Sequence, residues 1–305
     1  MENPETKSDF RPFLEACVYR DILEKLENPN KITLEFQTLR QVDEEEARVA
    51  SRYKSSTRKR NLQKNRFQNI LAKESTRVHV SSGDYINANL LDFPEFLKLP
   101  SYIMTQHPLE NTLNTFWRMI QENETLAIVQ LNANGEEDYL QSTYYKTPES
   151  EYDIKIEKQT LNQTPGKIVL HHVEVTHTNS KQFHKLLHFQ YLGWPDHGVP
   201  ETSAEVLDLI SSLDQRLGKR KGRQSNVLIH CMAGVGRTGT FVALHASINL
   251  LRMPMAIYRG SFSFYEIVKF LKQTRTYSVQ NNEQYMFCYK ALQSFLLEKE
   301  SAADV

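Results

Sequence analysis

Residues 230–240 read HCMAGVGRTGT, which sets a cysteine, Cys231, six positions before an arginine, Arg237. The preceding NVLIHC is a short apolar run that reads as a buried strand, and GRTGTFVALHASINLL has helical periodicity. The loop between them, Met232, Ala233, Gly234, Val235 and Gly236, is Gly-rich. A strand, a tight glycine loop and a helix N-terminus make an anion site, because successive backbone N–H groups converge there and the helix dipole favours negative charge. Glycine permits backbone angles closed to other residues. The same setting favours the thiolate of a cysteine at its mouth. Arg237 adds a planar fork of donors suited to phosphate oxygens. A thiolate beside a phosphate cradle implies attack of sulfur on phosphorus, through a phosphocysteine. The bland alternative is a structural cysteine beside an accidental glycine turn; the C-x5-R spacing between strand and helix argues against it. A metal is not required, since Arg237 and the loop amides supply the positive field.

Such a reaction needs a proton for a leaving group that is poor as an anion, a contribution worth roughly 10²–10⁴-fold. The stretch GWPDHGVP at 193–200 offers Asp196 on a loop able to swing over a pocket. At this point the chain resembles a family. HCMAGVGRTG is similar to the signature loop of the cysteine-dependent protein tyrosine phosphatases, although C-x5-R alone also occurs in dual-specificity and low-molecular-weight phosphatases. The resemblance implies that Cys231 is the nucleophile, with His230 beside it as support, Arg237 the phosphate clamp, and Thr238 the hydroxyl that assists thiolate release. WPD looks like the family's mobile acid loop, with Asp196 the general acid and His197 a loop-packing residue. YSVQNNEQYMFCY resembles the family's glutamine loop: Gln280 would place the hydrolytic water and Gln284 would support the phosphate site. KNRFQNILAKESTRV resembles the phosphotyrosine-recognition loop, with Phe67 stacking on the substrate ring and Asn69 meeting the peptide backbone. DYINANLL and YIMTQHPLENTLNTFWRM resemble two further family segments and carry the likeness over most of residues 60–295. Together these motifs point to the phosphotyrosine-specific class.

Several positions depart from the family pattern. Met232 stands where a serine is common, and Phe67 where a tyrosine is; with both hydroxyls gone, neither leaves the other orphaned. His107 replaces a glycine. In LNANGEEDYLQSTYYK, read without gaps, Glu136 keeps a glutamate that braces the signature arginine, while Gln141 replaces a lysine and Lys146 a tryptophan. This stretch is diverged, which puts closure of the acid loop in question. Tyr277 falls beside the pocket where small residues admit bulky substrates, so it narrows access.

Elements must hold these residues. Apolar spacing predicts a helix over 11–30 (Phe13, Leu14, Cys17, Ile22, Leu23, Leu26), stopped by ENPN, then a mixed segment ITLEFQTLRQV and a basic run RYKSSTRKRNLQKNRF that reads as a solvated face or as the approach to the recognition loop. Strand patterns follow in RVHV, YINANLL, YIMTQ, LAIVQL, STYYK, YDIKIEKQTL, KIVLHHVEVTH, KLLHFQYLGW and NVLIHC. Helical patterns lie in NTLNTFWRMIQEN, SAEVLDLISSLDQRLGKR, GTFVALHASINLL, FSFYEIVKFLKQTR and NNEQYMFCYKALQSFLLEKE. Strands early and helices late predict one α/β (α+β) domain, and the family resemblance implies a central twisted mixed β-sheet flanked by helices. The domain is expected over residues 12–300, between a flexible N-terminus (1–11) and a flexible C-terminus (301–305).

The 305 residues carry 37 Lys+Arg and 37 Asp+Glu, so zero net charge offers no global argument for nucleic acid or a membrane surface. Cys17, Cys231 and Cys288 show no paired spacing, which suggests neither a disulfide framework nor a zinc site and fits a reducing, cytoplasmic compartment. The sequence shows no signal peptide and no apolar run of about 18 residues. The expected function is hydrolysis of phosphotyrosine in proteins by a monomer without cofactor or metal. The alternatives are a pseudophosphatase or phosphotyrosine-binding module with weak turnover, and a phosphoinositide phosphatase, which would prefer basic residues that the MAGVG loop lacks.

Overall fold

In the computed structural model the described residues are 11–133, 135–140, 142–147, 151–160, 167–195, 198–218, 226–253 and 263–303. Two helices come first, α1 (Arg11–Glu27) and α2 (Pro29–Ala47). Pro29 opens α2, where its missing N–H costs nothing and its ring prevents α1 from continuing. The ENPN stop is therefore a joint between two helices. The segment read as mixed is helical throughout, with Ile32, Phe36 and Leu39 buried on one face at spacings of four and three. The basic run folds as short 3-10 turns. Its Asn61 and Asn65 are buried and donate to the carbonyls of Ser55 and Ser56 at 2.8 and 3.0 Å, so the backbone is fixed while Arg58, Lys59 and Arg60 face solvent.

The remaining elements are β1 (Ala88–Leu91), β2 (Ser101–Gln106), α3 (Leu113–Glu122), β3 (Ala127–Gln130), β4 (Tyr144–Lys146), β5 (Tyr152–Thr160), β6 (Ile168–His177), β7 (Phe183–Tyr191), α4 (Ala204–Leu217), β8 (Asn226–Cys231), α5 (Gly236–Arg252), α6 (Phe264–Thr274) and α7 (Asn282–Ala303). RVHV forms no strand; only Arg77 bridges to Asn89. The strands make one mixed sheet in the order β1-β2-β8-β3-β7-β6-β5-β4. Its centre, β2-β8-β3-β7, is parallel, and both flanks are antiparallel.

Strand alternation divides the core. Val227 and Ile229 of β8 pack with residues of α4, α5, α6 and α7, and Cys231 ends that row. Leu228 packs on the other face with Phe116, Trp117 and Ile120 of α3, and His230 shares that side. Helix α5 runs through the middle of the helical layer and is buried nearly all round, as its apolar composition on every face requires. The parallel strands end side by side, with Gln106 opposite Cys231 and Gln130 opposite His230. Clefts form at this carboxyl edge, because each strand there turns away into its crossover.

Candidate active site

Strand β8 delivers Cys231 to the start of a loop that turns directly into α5. The Cys231 Sγ, on a residue only 3% exposed, receives the backbone N–H of Gly234 at 3.3 Å and the Thr238 hydroxyl at 3.2 Å. Gly234 has φ +72°, and a Cβ on it would stand 2.0 Å from the Thr105 carbonyl oxygen, so only glycine closes this turn against β2. Gly236 is needed for a different reason. A Cβ there would meet the side-chain amides of Gln280 and Gln284, each at 3.0 Å. Both glutamines thus lie directly on the loop. Gln284 is buried and its Oε1 accepts the N–H of Gln280 at 2.8 Å, whereas Gln280 is exposed.

Arg237, in the first turn of α5, is oriented by Glu136. Its two terminal nitrogens donate to the two carboxylate oxygens at 2.6 and 2.8 Å, a bidentate pair between largely buried side chains. The Glu136 carboxylate also receives the N–H of Ala133. The diverged 132–146 stretch therefore keeps its brace. Within it, Met232 Sδ lies 2.9 Å from Asn132 Nδ2, so the methionine that replaces the usual serine meets this stretch. Lys146 lies on edge strand β4 near Asp153, 3.8 Å away, and Gln141 falls outside the described residues.

The segment whose sequence resembles a recognition loop is fixed from β2. Gln106 donates through Nε2 to the Lys64 carbonyl and accepts the Arg66 N–H, both at 2.9 Å. Arg66 donates to the His107 and Pro108 carbonyls and forms a bidentate pair with Glu137 at 2.7 and 3.0 Å. Phe67, next in sequence, presents its ring with 41% exposure, and Asn69 is exposed beside it. Tyr277 is partly buried and has φ +70°. Asp196 and His197 lie outside the described residues. Their flanks are held: Trp194 is fully buried, packs against Tyr191 and Phe287, and donates its indole N–H to the Gly198 carbonyl at 3.1 Å.

Three supporting groups were not singled out from the sequence. Arg275 is fully buried and donates to the carbonyls of Gly234 and Ala233 at 2.7 and 3.1 Å and to Asn89 Oδ1 at 2.8 Å, clamping the loop from behind. Burial lowers its pKa to about 10, which leaves it cationic at neutral pH. Asp43 and Lys272 form a buried pair beneath the 276–280 turn, with the ammonium donating at 2.6 Å. On the α3 face the Tyr139 hydroxyl bridges His230 and His188, each at 3.0 Å. The His107 ring stacks edge-on against Tyr139 and His230, and its backbone N–H donates to the carbonyls of Cys231 and Met232 at 2.8 and 3.1 Å. His107 has no left-handed φ, so the position usually taken by glycine is met here without strain. Burial keeps these histidines neutral: His230 and His188 fall well below the usual histidine pKa, and His107 falls to about 4. A readable signal existed for Asp43 and Lys272. Asp43 continues the stripe Ile32, Phe36, Leu39, and Lys272 follows Val268 by four on the buried face of α6.

The arrangement is a buried cysteine sulfur within a glycine loop, a braced guanidinium, two side-chain amides against that loop and an exposed aromatic ring at Phe67. Among the described residues no three metal-ligating side chains cluster, and no helix is long and apolar enough to cross a membrane.

Residues 61–294 match the family model described as protein-tyrosine phosphatase. Human tyrosine-protein phosphatase non-receptor type 9 is 34% identical over 260 residues, covering 79% of this chain and 42% of that protein. A protein-tyrosine-phosphatase of Arabidopsis thaliana is 27% identical over 282 residues, covering 88% of this chain and 80% of the relative. Among solved structures, the catalytic domain of human protein tyrosine phosphatase non-receptor type 18 superposes with a TM-score of 0.77 at 27% identity, covering 89% of this chain and 98% of that one. The chain thus spans less than half the length of the human relative.

Proposed function

This chain belongs to the protein-tyrosine phosphatase family, and from that premise we propose that it hydrolyses phosphotyrosine in proteins through a phosphocysteine on Cys231. The observation that carries the reading is the Cys231 sulfur, held by the Gly234 N–H and the Thr238 hydroxyl at the mouth of a loop whose arginine is braced by Glu136. Phe67 stacks on the substrate ring by its face, which needs no hydroxyl, and Asn69 engages the peptide backbone. The amides of Ala233, Gly234, Val235 and Gly236 and the fork of Arg237 take the phosphate oxygens, where charge grows in the transition state. Sγ attacks phosphorus as the bond to the tyrosyl oxygen breaks, and Asp196 gives that oxygen its proton. In the second step Gln280 orients a water. The water oxygen bonds to phosphorus, its proton passes to the Asp196 carboxylate, and the P–S electron pair returns to Sγ, where the Thr238 hydroxyl stabilises it. Gln284 holds Gln280 over the loop. Because the nucleophile must remain a thiol, the protein is placed in a reducing compartment such as the cytoplasm.

The test compares phosphate release from a phosphotyrosine peptide and a phosphoserine peptide. The parent chain turns over the first alone. Cys231→Ser releases no phosphate yet binds the phosphotyrosine peptide, and Arg237→Lys loses most turnover because an ammonium lacks the bidentate fork. Turnover that survives in Cys231→Ser overturns the mechanism.

A further inference from the structure

The turn that carries Gln280 does not sit in a relaxed conformation. Tyr277 and Val279 have φ of +70° and +56°, and for a bulky or β-branched residue the left-handed region is a genuine outlier. Such a geometry persists only where its surroundings over-determine it. Here a single buried ion pair from outside the turn supplies two grips. The Asp43 carboxylate, at the end of α2, accepts the Tyr277 backbone N–H through Oδ1 at 2.7 Å and the Lys272 ammonium through Oδ2 at 2.6 Å. Lys272 in turn donates to the Val279 carbonyl at 3.1 Å and lies over the Phe36 ring at 5.4 Å. Both charged residues are buried, Lys272 fully. The two left-handed residues are thus the two whose backbones the pair holds.

The turn meets the catalytic loop on its other side. The Val279 N–H donates to the Val235 carbonyl at 3.2 Å, and a Cβ on Gly239 would stand 2.5 Å from the Val279 nitrogen. Gln280 follows immediately, with its amide against Gly236. A shift at 277 or 279 therefore moves Gln280 relative to the loop.

We propose that Asp43, acting with Lys272, is a positioning residue for the second half-reaction: it holds the strained 277–279 backbone so that Gln280 orients the water that hydrolyses the phosphocysteine. The proposal rests on the hydrolase reading above. Its consequence is specific to one step. Formation of the phosphocysteine draws on Cys231, Arg237, the loop amides and Asp196, and the contacts by which Arg275 holds the loop and Glu136 holds Arg237 do not run through Asp43 or Lys272. Attack of water on phosphorus, with departure of the sulfur, is the step that needs Gln280.

The experiment is rapid-mixing kinetics with 4-nitrophenyl phosphate on the parent chain, on Asp43→Asn, and on the double variant Asp43→Leu/Lys272→Met, with melting temperatures measured alongside. The double variant guards against misfolding, because replacing a buried ion pair by apolar side chains is often neutral for stability. Both variants are expected to show kcat reduced roughly 10–100-fold, the scale of a small misplacement of a reacting group. Their kcat/KM stays within about twofold of the parent because it reports the first step, and KM falls with kcat. A burst of nitrophenolate stoichiometric with enzyme then precedes the slow phase. A parallel fall of kcat and kcat/KM without a burst, or an unchanged kcat in the folded double variant, overturns the proposal. Absence of phosphate release by the parent chain, or release that persists in Cys231→Ser, overturns the hydrolase reading itself and this proposal with it.

Discussion

Tyr277 lets backbone strain and substrate access be tested at one position. Its φ of +70° places a bulky residue where an L side chain is disfavoured by about 1–2 kcal/mol. Tyr277→Ala and Tyr277→Gly remove the same ring, and both keep the backbone N–H that Asp43 accepts. They differ in the backbone alone. Alanine retains the left-handed penalty. Glycine removes it, at a cost of roughly 0.5–1 kcal/mol for the extra freedom of its unfolded chain. The net difference favours glycine by about 1 kcal/mol, the reverse of the order at an ordinary ordered position. Urea titration resolves that difference, and the melting temperatures should separate by roughly 1–2 °C for a domain of this size. The same pair of variants tests the gate. Both should raise kcat/KM for bulky aryl phosphates relative to 4-nitrophenyl phosphate, and to the same extent. A glycine variant no more stable than the alanine variant refutes the strain argument. An unchanged specificity ratio refutes the gate and leaves the ring as packing.

Glu136→Ala removes the bidentate carboxylate that orients the Arg237 guanidinium, whose side chain is 8% exposed; truncating one partner of a buried hydrogen-bonded charge pair costs about 2–5 kcal/mol, so kcat/KM should fall at least about 30-fold. Inhibition by inorganic phosphate should weaken in parallel, and an unaltered inhibition constant would show that the brace is dispensable. Asp196→Ala should depress turnover of phosphotyrosine strongly and of aryl phosphates with acidic leaving groups much less, since a stable anion needs no proton; equal losses would make Asp196 structural. His107 gives a pH signature. Burial first, and then the nearby Arg66 charge, lower its pKa from 6.5 to about 4, so between those values the unfolded chain binds a proton that the folded one does not. Its stabilising contribution is full above pH 6.5 and is lost as the pH falls toward 4, amounting to about 2 kcal/mol between pH 7 and pH 5. Urea midpoints measured at the two pH values should show that loss in the parent chain and a smaller one in His107→Gln, because His188 and His230 still act in the same direction. Equal slopes in the two chains would remove His107 from this account.

The amino-acid sequence alone determined a good deal of this protein, because the relevant signals are local. The alternation of NVLIHC, the glycines after it and the period of α5 depend on backbone geometry within a few residues, so the strand, the glycine turn and the helix that position Cys231 and Arg237 are legible in the sequence. Gly234 shows why that works: a φ of +72° beside a carbonyl leaves one residue type possible, and the type is written in the chain. The ITLEFQTLRQV segment reads as mixed because its buried stripe is only Ile32, Phe36 and Leu39, a face that Asp43 completes just beyond it. Tertiary structure alone decided who supports the site. Glu136 is 101 residues from Arg237, Asp43 is 229 from Lys272, and Arg275 is 41 from the Gly234 carbonyl it holds. No periodicity links such positions. Glu136 meets Arg237 because the sheet order sets the end of β3 beside that of β8, and Asp43 meets Lys272 because α2 packs on α6; a charge buried by such packing is tolerated only where the packing also supplies its partner.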